Sequence, residues 1–121
     1  MGSRLTIGIL LSGPLLLLPR AGDAHAFLDH ADPRVGSTVR SSPTAVTLTF
    51  TEGVEPAFSK IEVIDGDGKG VAVGVLEHPD DTSLRVAVPT LAAGTYHVKW
   101  RVVSVDTHET EGSFNFSIEA P

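Results

Sequence analysis

The sequence predicts an all-β protein of about seven short strands packed as a β-sandwich. From residue 26 onward, apolar and polar residues alternate with period two, and the 3.6-residue periodicity of helices is nearly absent. Turn-forming residues interrupt the alternation at the spacing typical of antiparallel sandwiches. The 121 residues suffice for one domain once a targeting segment is set aside.

The predicted strands follow one another with short connections. The turn at residues 65–68, which reads DGDG, is of the hairpin type, and residues 78–81 (HPDD) are predicted to form a loop. The longest strand places every second residue from Tyr96 to Val102 on one face, and Gly112 begins the last strand. In chain order, the strands are predicted around residues 26–30, 46–50, 61–64, 71–75, 84–88, 96–102 and 112–118.

Residues 1–24 are predicted to be a cleavable signal peptide. Arg4 provides the positively charged start, and residues 5–18 form an apolar run that contains Pro14. A membrane anchor is the alternative, but a spanning helix needs about 20 apolar residues and this run is shorter. The expected product is a domain of residues 25–121, located in the periplasm or secreted, without a membrane anchor.

The sequence leaves the cleavage point open between two positions. Cleavage after Ala24 uses small residues at the key positions and makes His25 the first residue. Cleavage after Ala26 fits the A-x-A pattern more literally and removes His25. The difference decides whether a histidine carries a free α-amine.

The net charge and the absence of cysteine exclude several classes of binding partner and of metal site. Residues 25–121 contain 7 basic and 14 acidic residues, a formal net charge of −7. Nucleic acids and anionic membranes require basic patches, so neither is expected as a partner, whereas a cation is well tolerated. The sequence has no cysteine, which excludes disulfides and thiolate metal sites.

Asp106 and His108 are the first candidate metal ligands. Residues two apart on a strand point to the same side, about 6.5 Å apart at their Cα atoms, so a carboxylate and an imidazole can converge on one ion. Their parity matches Trp100 and Val102, so a regular strand would carry them along the inward face to the mouth of the sandwich. The alternative is that Asp-Thr-His only shapes the turn before Gly112.

His25, if it becomes the first residue, adds two nitrogen donors, its α-amine and its imidazole. With His108 and Asp106 this makes three nitrogens and one oxygen, a set that suits copper(II), although zinc in tetrahedral geometry is not excluded. The other histidines are weaker candidates. His97 and His78 are expected at the surface. His30 is considered only because it is close to His25 in the sequence.

Three segments carry a recognisable family pattern. The chain reads HAFL from His25 and FTEGVE at residues 50–55. The most specific run, residues 94–108, reads GTYHVKWRVVSVDTH and is followed by Gly112. This run resembles the G-x-Y-x-V-x-W-x-V-x-S-x-D-x-H signature of the CopC family of periplasmic copper-binding proteins. The resemblance covers essentially all of residues 25–121.

The resemblance implies a Greek-key β-sandwich or barrel, immunoglobulin- or cupredoxin-like, that binds one copper(II) ion per chain. The implied ligands are His25, Asp106 and His108. Glu52 matches a glutamate near the site in some members, either a weak extra ligand or an acceptor that orients His25.

The resemblance also bears on maturation and on copper(I). Family members mature to an N-terminal His-Ala, which favours cleavage after Ala24. Some members have a second histidine as the third mature residue, where this chain has Phe27. The only methionine is Met1, so no thioether copper(I) site is expected.

The function implied by the resemblance is that of a copper(II) carrier or buffer in copper homeostasis or resistance, expected to be a monomer and not an enzyme. A CopD-type inner-membrane copper transporter is the implied protein partner. Oxidative polysaccharide monooxygenases also use an N-terminal histidine, but they need an open copper position, which Asp106 would occupy, and a broad substrate face. A metal-free immunoglobulin-like interaction module is the remaining alternative, since this fold carries many functions.

Overall fold

The structure is a computed structural model that describes residues 25–121, so the predicted signal peptide at residues 1–24 lies outside the described residues. Between residues 25 and 121 the chain forms eight strands and one short 3₁₀ turn, without an α-helix. The predicted fold class, an all-β sandwich, is confirmed. The elements are β1 (Leu28–Asp32), β2 (Thr38–Val39), β3 (Ala45–Phe50), the 3₁₀ turn (Pro56–Phe58), β4 (Lys60–Ile64), β5 (Glu77–Asp80), β6 (Ser83–Ala87), β7 (Gly94–Val103) and β8 (Glu109–Ile118).

The strands form two four-stranded sheets, one with the order β1-β3-β6-β5 and the other with the order β2-β8-β7-β4. β2 runs parallel to β8, and the other paired strands are antiparallel. Because β1 and β3 belong to the first sheet and β2 and β4 to the second, the chain changes sheet repeatedly. Each end of the sandwich therefore gathers connections from both sheets. Within residues 25–121 no helix is long and apolar enough to cross a membrane.

The core lies between the two sheets and is built from the predicted alternation. On β7, the residues from Tyr96 to Val102 that share one parity are all buried, and those between them are exposed. Trp100 lies opposite Gly112 of β8, where a Cβ atom would come within 2.5 Å of the indole ring. The glycine is therefore needed for the ring to pack between the sheets.

The predicted strand at residues 71–75 is not formed. Val71 donates one backbone hydrogen bond to Val63 (2.8 Å), and Gly74 then donates to Ala87 of the opposite sheet (2.9 Å). The segment therefore crosses from one sheet to the other. Val71 and Val73 are half-buried against the core during this crossing, and Val75 is exposed. A crossing segment with one apolar side has the same alternation as a strand, which explains the wrong prediction.

Three further boundaries differ from the prediction. Residues 78–81, predicted as a loop, mostly belong to β5, an edge strand that pairs with β6. The last strand begins at Glu109 and not at Gly112. The two-residue strand β2 has no alternation from which it could be predicted. Edge pairing and very short strands depend on neighbouring strands more than on local pattern.

Candidate metal centre

One end of the sandwich brings together three segments: residues 25–27 before β1, residues 51–55 after β3, and residues 104–108 between β7 and β8. The middle segment joins the other two through the backbone. The Thr51 amide donates to the Phe27 carbonyl (2.8 Å), and the Val105 amide donates to the Gly53 carbonyl (3.0 Å). Residues far apart in the sequence are therefore held side by side.

Asp106 and His108 lie in a turn and not on a regular strand. β7 ends at Val103, and its inward parity ends at the buried Ser104. The Ser104 amide donates to the His108 carbonyl (2.9 Å), and the Thr107 amide donates to the Ser104 carbonyl (2.8 Å). The predicted inward-facing placement is therefore wrong, because these local hydrogen bonds turn the chain before it reaches Asp106. The side chains of Asp106 and His108 are 39% and 46% exposed at the tip of the turn.

The structure brings His25, His108 and Asp106 together. The ring centroids of His25 and His108 are 4.5 Å apart, with the rings in edge-to-face contact. On the other side of His108, its Nδ1 atom lies 3.4 Å from Oδ1 of Asp106. Two imidazoles and one carboxylate are thus neighbours at one end of the molecule, partly open to solvent.

These side chains are adjacent but do not already converge. Within residues 25–121, no three His, Asp or Glu side chains form a ready-made metal cluster. The His25 and His108 rings meet at 75°. Partly exposed side chains change rotamer among staggered wells at little cost. Side-chain rotation could therefore complete the convergence of the ligand atoms while the backbone stays in place.

Two threonines hold the segment that carries His25. Ala26 is fully buried, and its carbonyl accepts a hydrogen bond from the Thr110 hydroxyl of β8 (2.6 Å). The Phe27 amide donates to the Thr51 hydroxyl oxygen, next to β3 (3.0 Å). One hydroxyl comes from each sheet, so the His25 backbone is fixed by both halves of the sandwich.

Ser104 lowers the pKa of the candidate carboxylate. Its hydroxyl donates a short hydrogen bond to Oδ1 of Asp106. This hydrogen bond, and to a smaller extent the charge of a protonated His108, holds the pKa of Asp106 below its ordinary value, while desolvation opposes the shift. Asp106 is therefore an ionised, acceptor-only group at neutral pH, as a metal ligand must be.

Glu52 lies in the middle segment at this end of the sandwich, directly after Thr51. It lines a depression of about 580 Å³ together with Glu55, His78, Asp81 and Val105, among other residues. His25 does not line this depression. The role of Glu52, as a weak extra ligand or as an acceptor that orients His25, therefore stays a prediction from the resemblance.

The other three histidines lie outside the cluster. His97 is exposed in the middle of β7, as predicted, with its Nδ1 atom bonded to the Asn115 side chain of β8. His78 is exposed on β5, with Nδ1 3.0 Å from the Ser83 carbonyl. His30 is exposed, and its Nδ1 atom lies 2.8 Å from Oδ2 of Asp29.

Sequence reasoning missed the hydroxyl residues that hold the site. Ser104 stands inside the family signature, two residues before Asp106, so its position was visible although its contact was not. Thr51 and Thr110 are two among many strand threonines, and no local pattern distinguishes them. Their partners are far away in the sequence, at residues 26–27.

The fold and the geometry define a class of protein: a small β-sandwich with two imidazoles and a carboxylate gathered at one end. A family model described as the CopC domain matches residues 28–119. The chain belongs to the CopC domain family, as its resemblance to that family predicted.

Two bacterial proteins and one solved structure illustrate what the chain is similar to. The chain is 36% identical over 99 residues to "Protein YobA" of Escherichia coli strain K12, covering 79% of this chain and 80% of that protein. It is 36% identical over 104 residues to "Copper resistance protein C" of Xanthomonas campestris pv. juglandis, covering 79% and 81%. The crystal structure of CopC from Methylosinus trichosporium OB3b superimposes with a TM-score of 0.73 at 39% identity, covering 79% of this chain and 95% of that one.

Proposed function

We propose that this protein binds copper(II) outside the cytoplasmic membrane and serves as a carrier or buffer in copper homeostasis or resistance. One observation carries the proposal: the rings of His25 and His108 are in contact, with centroids 4.5 Å apart, beside the Asp106 carboxylate. A relative that is 36% identical is named for copper resistance.

The ligands that we propose for copper(II) require cleavage of the signal peptide after Ala24. Cleavage there gives His25 a free α-amine, which forms a chelate with its own imidazole. His108 adds a third nitrogen and Asp106 an oxygen. Three nitrogens and one oxygen suit copper(II), which also binds most tightly among the divalent first-row ions. We propose one copper(II) ion per chain.

The rest of the proposal follows from this site. Residues 1–24 act as a signal peptide that delivers the protein to the periplasm or the medium. We propose that the protein is a monomer. It is not an enzyme in this proposal, because Asp106 would fill the position that an oxidase keeps open for its substrate. The partner proposed for copper transfer is a CopD-type inner-membrane transporter.

The first test is the intact mass of the exported protein under native conditions. The full-length chain is expressed with its own N-terminus and recovered after export. The expected mass is that of residues 25–121 plus one copper ion. A product that begins at Phe27, or one that retains no copper when copper is supplied, would contradict the proposal.

The second test locates the site with two histidine variants. His108→Ala should weaken copper(II) binding and change the electron paramagnetic resonance spectrum of the bound ion. His97→Ala is the matched control, since His97 is exposed on β7 and makes its contact with Asn115. The opposite pattern would place the copper elsewhere.

The third test addresses the amine. One glycine inserted between Ala24 and His25 leaves both imidazoles and the carboxylate but separates the α-amine from the histidine ring. Copper(II) affinity should fall by orders of magnitude, in a product whose mass confirms the extra residue. An unchanged dissociation constant would remove the amine from the ligand set.

A further inference from the structure

We propose that Ser104 is the positioning residue of this site: its buried hydroxyl sets the turn at residues 106–108 and orients the Asp106 carboxylate before copper arrives. This inference rests on the proposed function, since it concerns how the same site is organised.

The burial of Ser104 is the first observation. Its side chain is fully buried at the end of β7, where the inward parity of that strand would otherwise place an apolar residue. Among residues 25–121, Ser83 is the only other polar residue that is buried. A buried hydroxyl persists only where hydrogen bonds compensate its lost hydration. Its partners therefore indicate its role.

All of the side-chain partners of Ser104 lie in the candidate ligand turn. The hydroxyl donates to Oδ1 of Asp106, and its oxygen accepts the His108 amide at 3.2 Å. The same oxygen lies 3.2 Å from the His108 carbonyl oxygen. Both proposed ligands of the turn are thus tied to one buried atom. Their spacing depends on that atom and not on strand geometry.

The backbone of the turn needs such support. Thr107, between the two ligands, has a φ of 70°, in the left-handed region that β-branched residues rarely adopt. Its amide donates to the Ser104 carbonyl at 2.8 Å. Ser104 therefore closes the turn through its backbone and its side chain together. Removing the hydroxyl leaves the strained residue with fewer constraints.

The contacts within this turn also determine which atoms of Asp106 and His108 remain free to bind a metal ion. Oδ1 of Asp106 faces both the Ser104 hydroxyl and Nδ1 of His108. The carboxylate oxygen left without these contacts is Oδ2, and the ring nitrogen left on His108 is Nε2. A carboxylate held in this way would bind through one oxygen and would not rotate to bind through both.

The test compares Ser104→Ala with Ser83→Ala in the exported full-length protein. Ser83→Ala is the matched control because it removes the other buried hydroxyl, which bonds to Thr49 and touches no proposed ligand. Copper(II) affinity is measured by competition with a chelator of known affinity, and the bound ion by electron paramagnetic resonance. Circular dichroism and thermal unfolding report whether each variant is folded.

Ser104→Ala should bind copper(II) at least about tenfold more weakly and show altered spectral parameters, while Ser83→Ala keeps the wild-type spectrum and affinity. If Ser104→Ala does not fold, the metal-free wild-type protein provides the test by NMR. A slowly exchanging Ser104 hydroxyl proton close to Asp106 is expected, and its absence would overturn the inference.

Three further outcomes would overturn the inference or its basis. Wild-type affinity and spectrum in the folded Ser104 variant would show that the hydroxyl positions nothing. Equal weakening in Ser83→Ala would indicate general loss of stability in place of positioning. Failure of the wild-type protein to bind copper(II) would overturn the proposed function itself, and the inference with it.

Discussion

At the scale of single residues, hydroxyl groups organise the candidate site. The imidazoles and the carboxylate supply donor atoms, but each is held through a serine or threonine. Ser104 bonds to Asp106 and to the His108 amide, and Thr110 bonds to the residue after His25. Such outer partners orient metal ligands, and changing one of them typically lowers metal affinity by about 10–100-fold.

The charge of Asp106 gives a prediction at this scale. In the metal-free protein, Ser104→Ala should raise the pKa of Asp106 toward its ordinary value, because the Ser104 hydrogen bond is the largest cause that lowers it. Carbon-detected NMR titration of the side-chain carboxyl measures the pKa directly. Asp80 is an internal control, since Ser83 and Thr82 lower its pKa, and it should not move.

The sign of the pH dependence follows from the lowered pKa. A carboxyl whose pKa is lower in the folded than in the unfolded protein stabilises the fold above its unfolded pKa. This contribution disappears as the pH falls through the lowered, folded-state pKa. In Ser104→Ala, the protonation of Asp106 should therefore account for a smaller loss of folding stability as the pH falls. An unchanged Asp106 titration in the variant would show that the hydrogen bond is not formed in solution.

At the scale of elements, the N-terminal segment is joined to both sheets before it becomes β1. Thr51 follows β3 and Thr110 lies in β8, and their hydroxyls contact the backbone of residues 26–27 from the two sheets. The fully buried Ala26 fixes the depth of this segment. His25 therefore has a defined position even though it lies outside any strand.

Thr110→Val should loosen this attachment without changing the shape of the side chain. Loss of one hydrogen bond corresponds to about 1 kcal/mol, so copper(II) affinity should fall about fivefold. Thr95→Val is the control, because its exposed hydroxyl bonds to Ser117 on the same pair of strands and contacts no residue of 25–27. Chelator competition on both variants measures the difference. Equal affinities would mean that the threonine does not position His25.

At the scale of the whole molecule, stability must come from the core between the sheets. The sequence contains no cysteine, so no disulfide assists a domain of this size. The core includes buried side chains from β1, β3, β4, β6, β7 and β8, which unites the two sheets into one packed unit. The candidate site lies at one end of this packed unit.

Leu48→Ala tests the core apart from the site. Leu48 is fully buried on β3, so its truncation should lower the free energy of unfolding by about 2–5 kcal/mol. Val75→Ala, at a side chain that is 82% exposed, should change it by less than about 0.5 kcal/mol. Chemical denaturation measures both. Below its unfolding transition, Leu48→Ala should keep wild-type copper(II) affinity, and a large loss would show that site and core are coupled.

The sequence by itself determined the features that local pattern encodes. Alternation in β3, β7 and β8 predicted their buried faces, because a strand exposes and buries successive side chains in turn. The spacing of Asp106 and His108 predicted a shared location. The chelate that a terminal His25 can form added it to that pair, and the resemblance to the CopC family favoured the cleavage that makes His25 terminal.

Only the tertiary structure decided the remaining features, because they depend on contacts between distant segments. The meeting of His25 with His108 requires the fold to bring together two segments that are 83 residues apart in the sequence. The bonds of Thr51 and Thr110 depend on the same packing. The crossing at residues 71–75 shares its alternation with a strand, so only its hydrogen-bond partners in the opposite sheet distinguish the two. Ser104 combines both kinds of feature. Its position within the family signature can be read from the sequence, but its hydrogen bonds to residues 106–108 are known only from the folded structure.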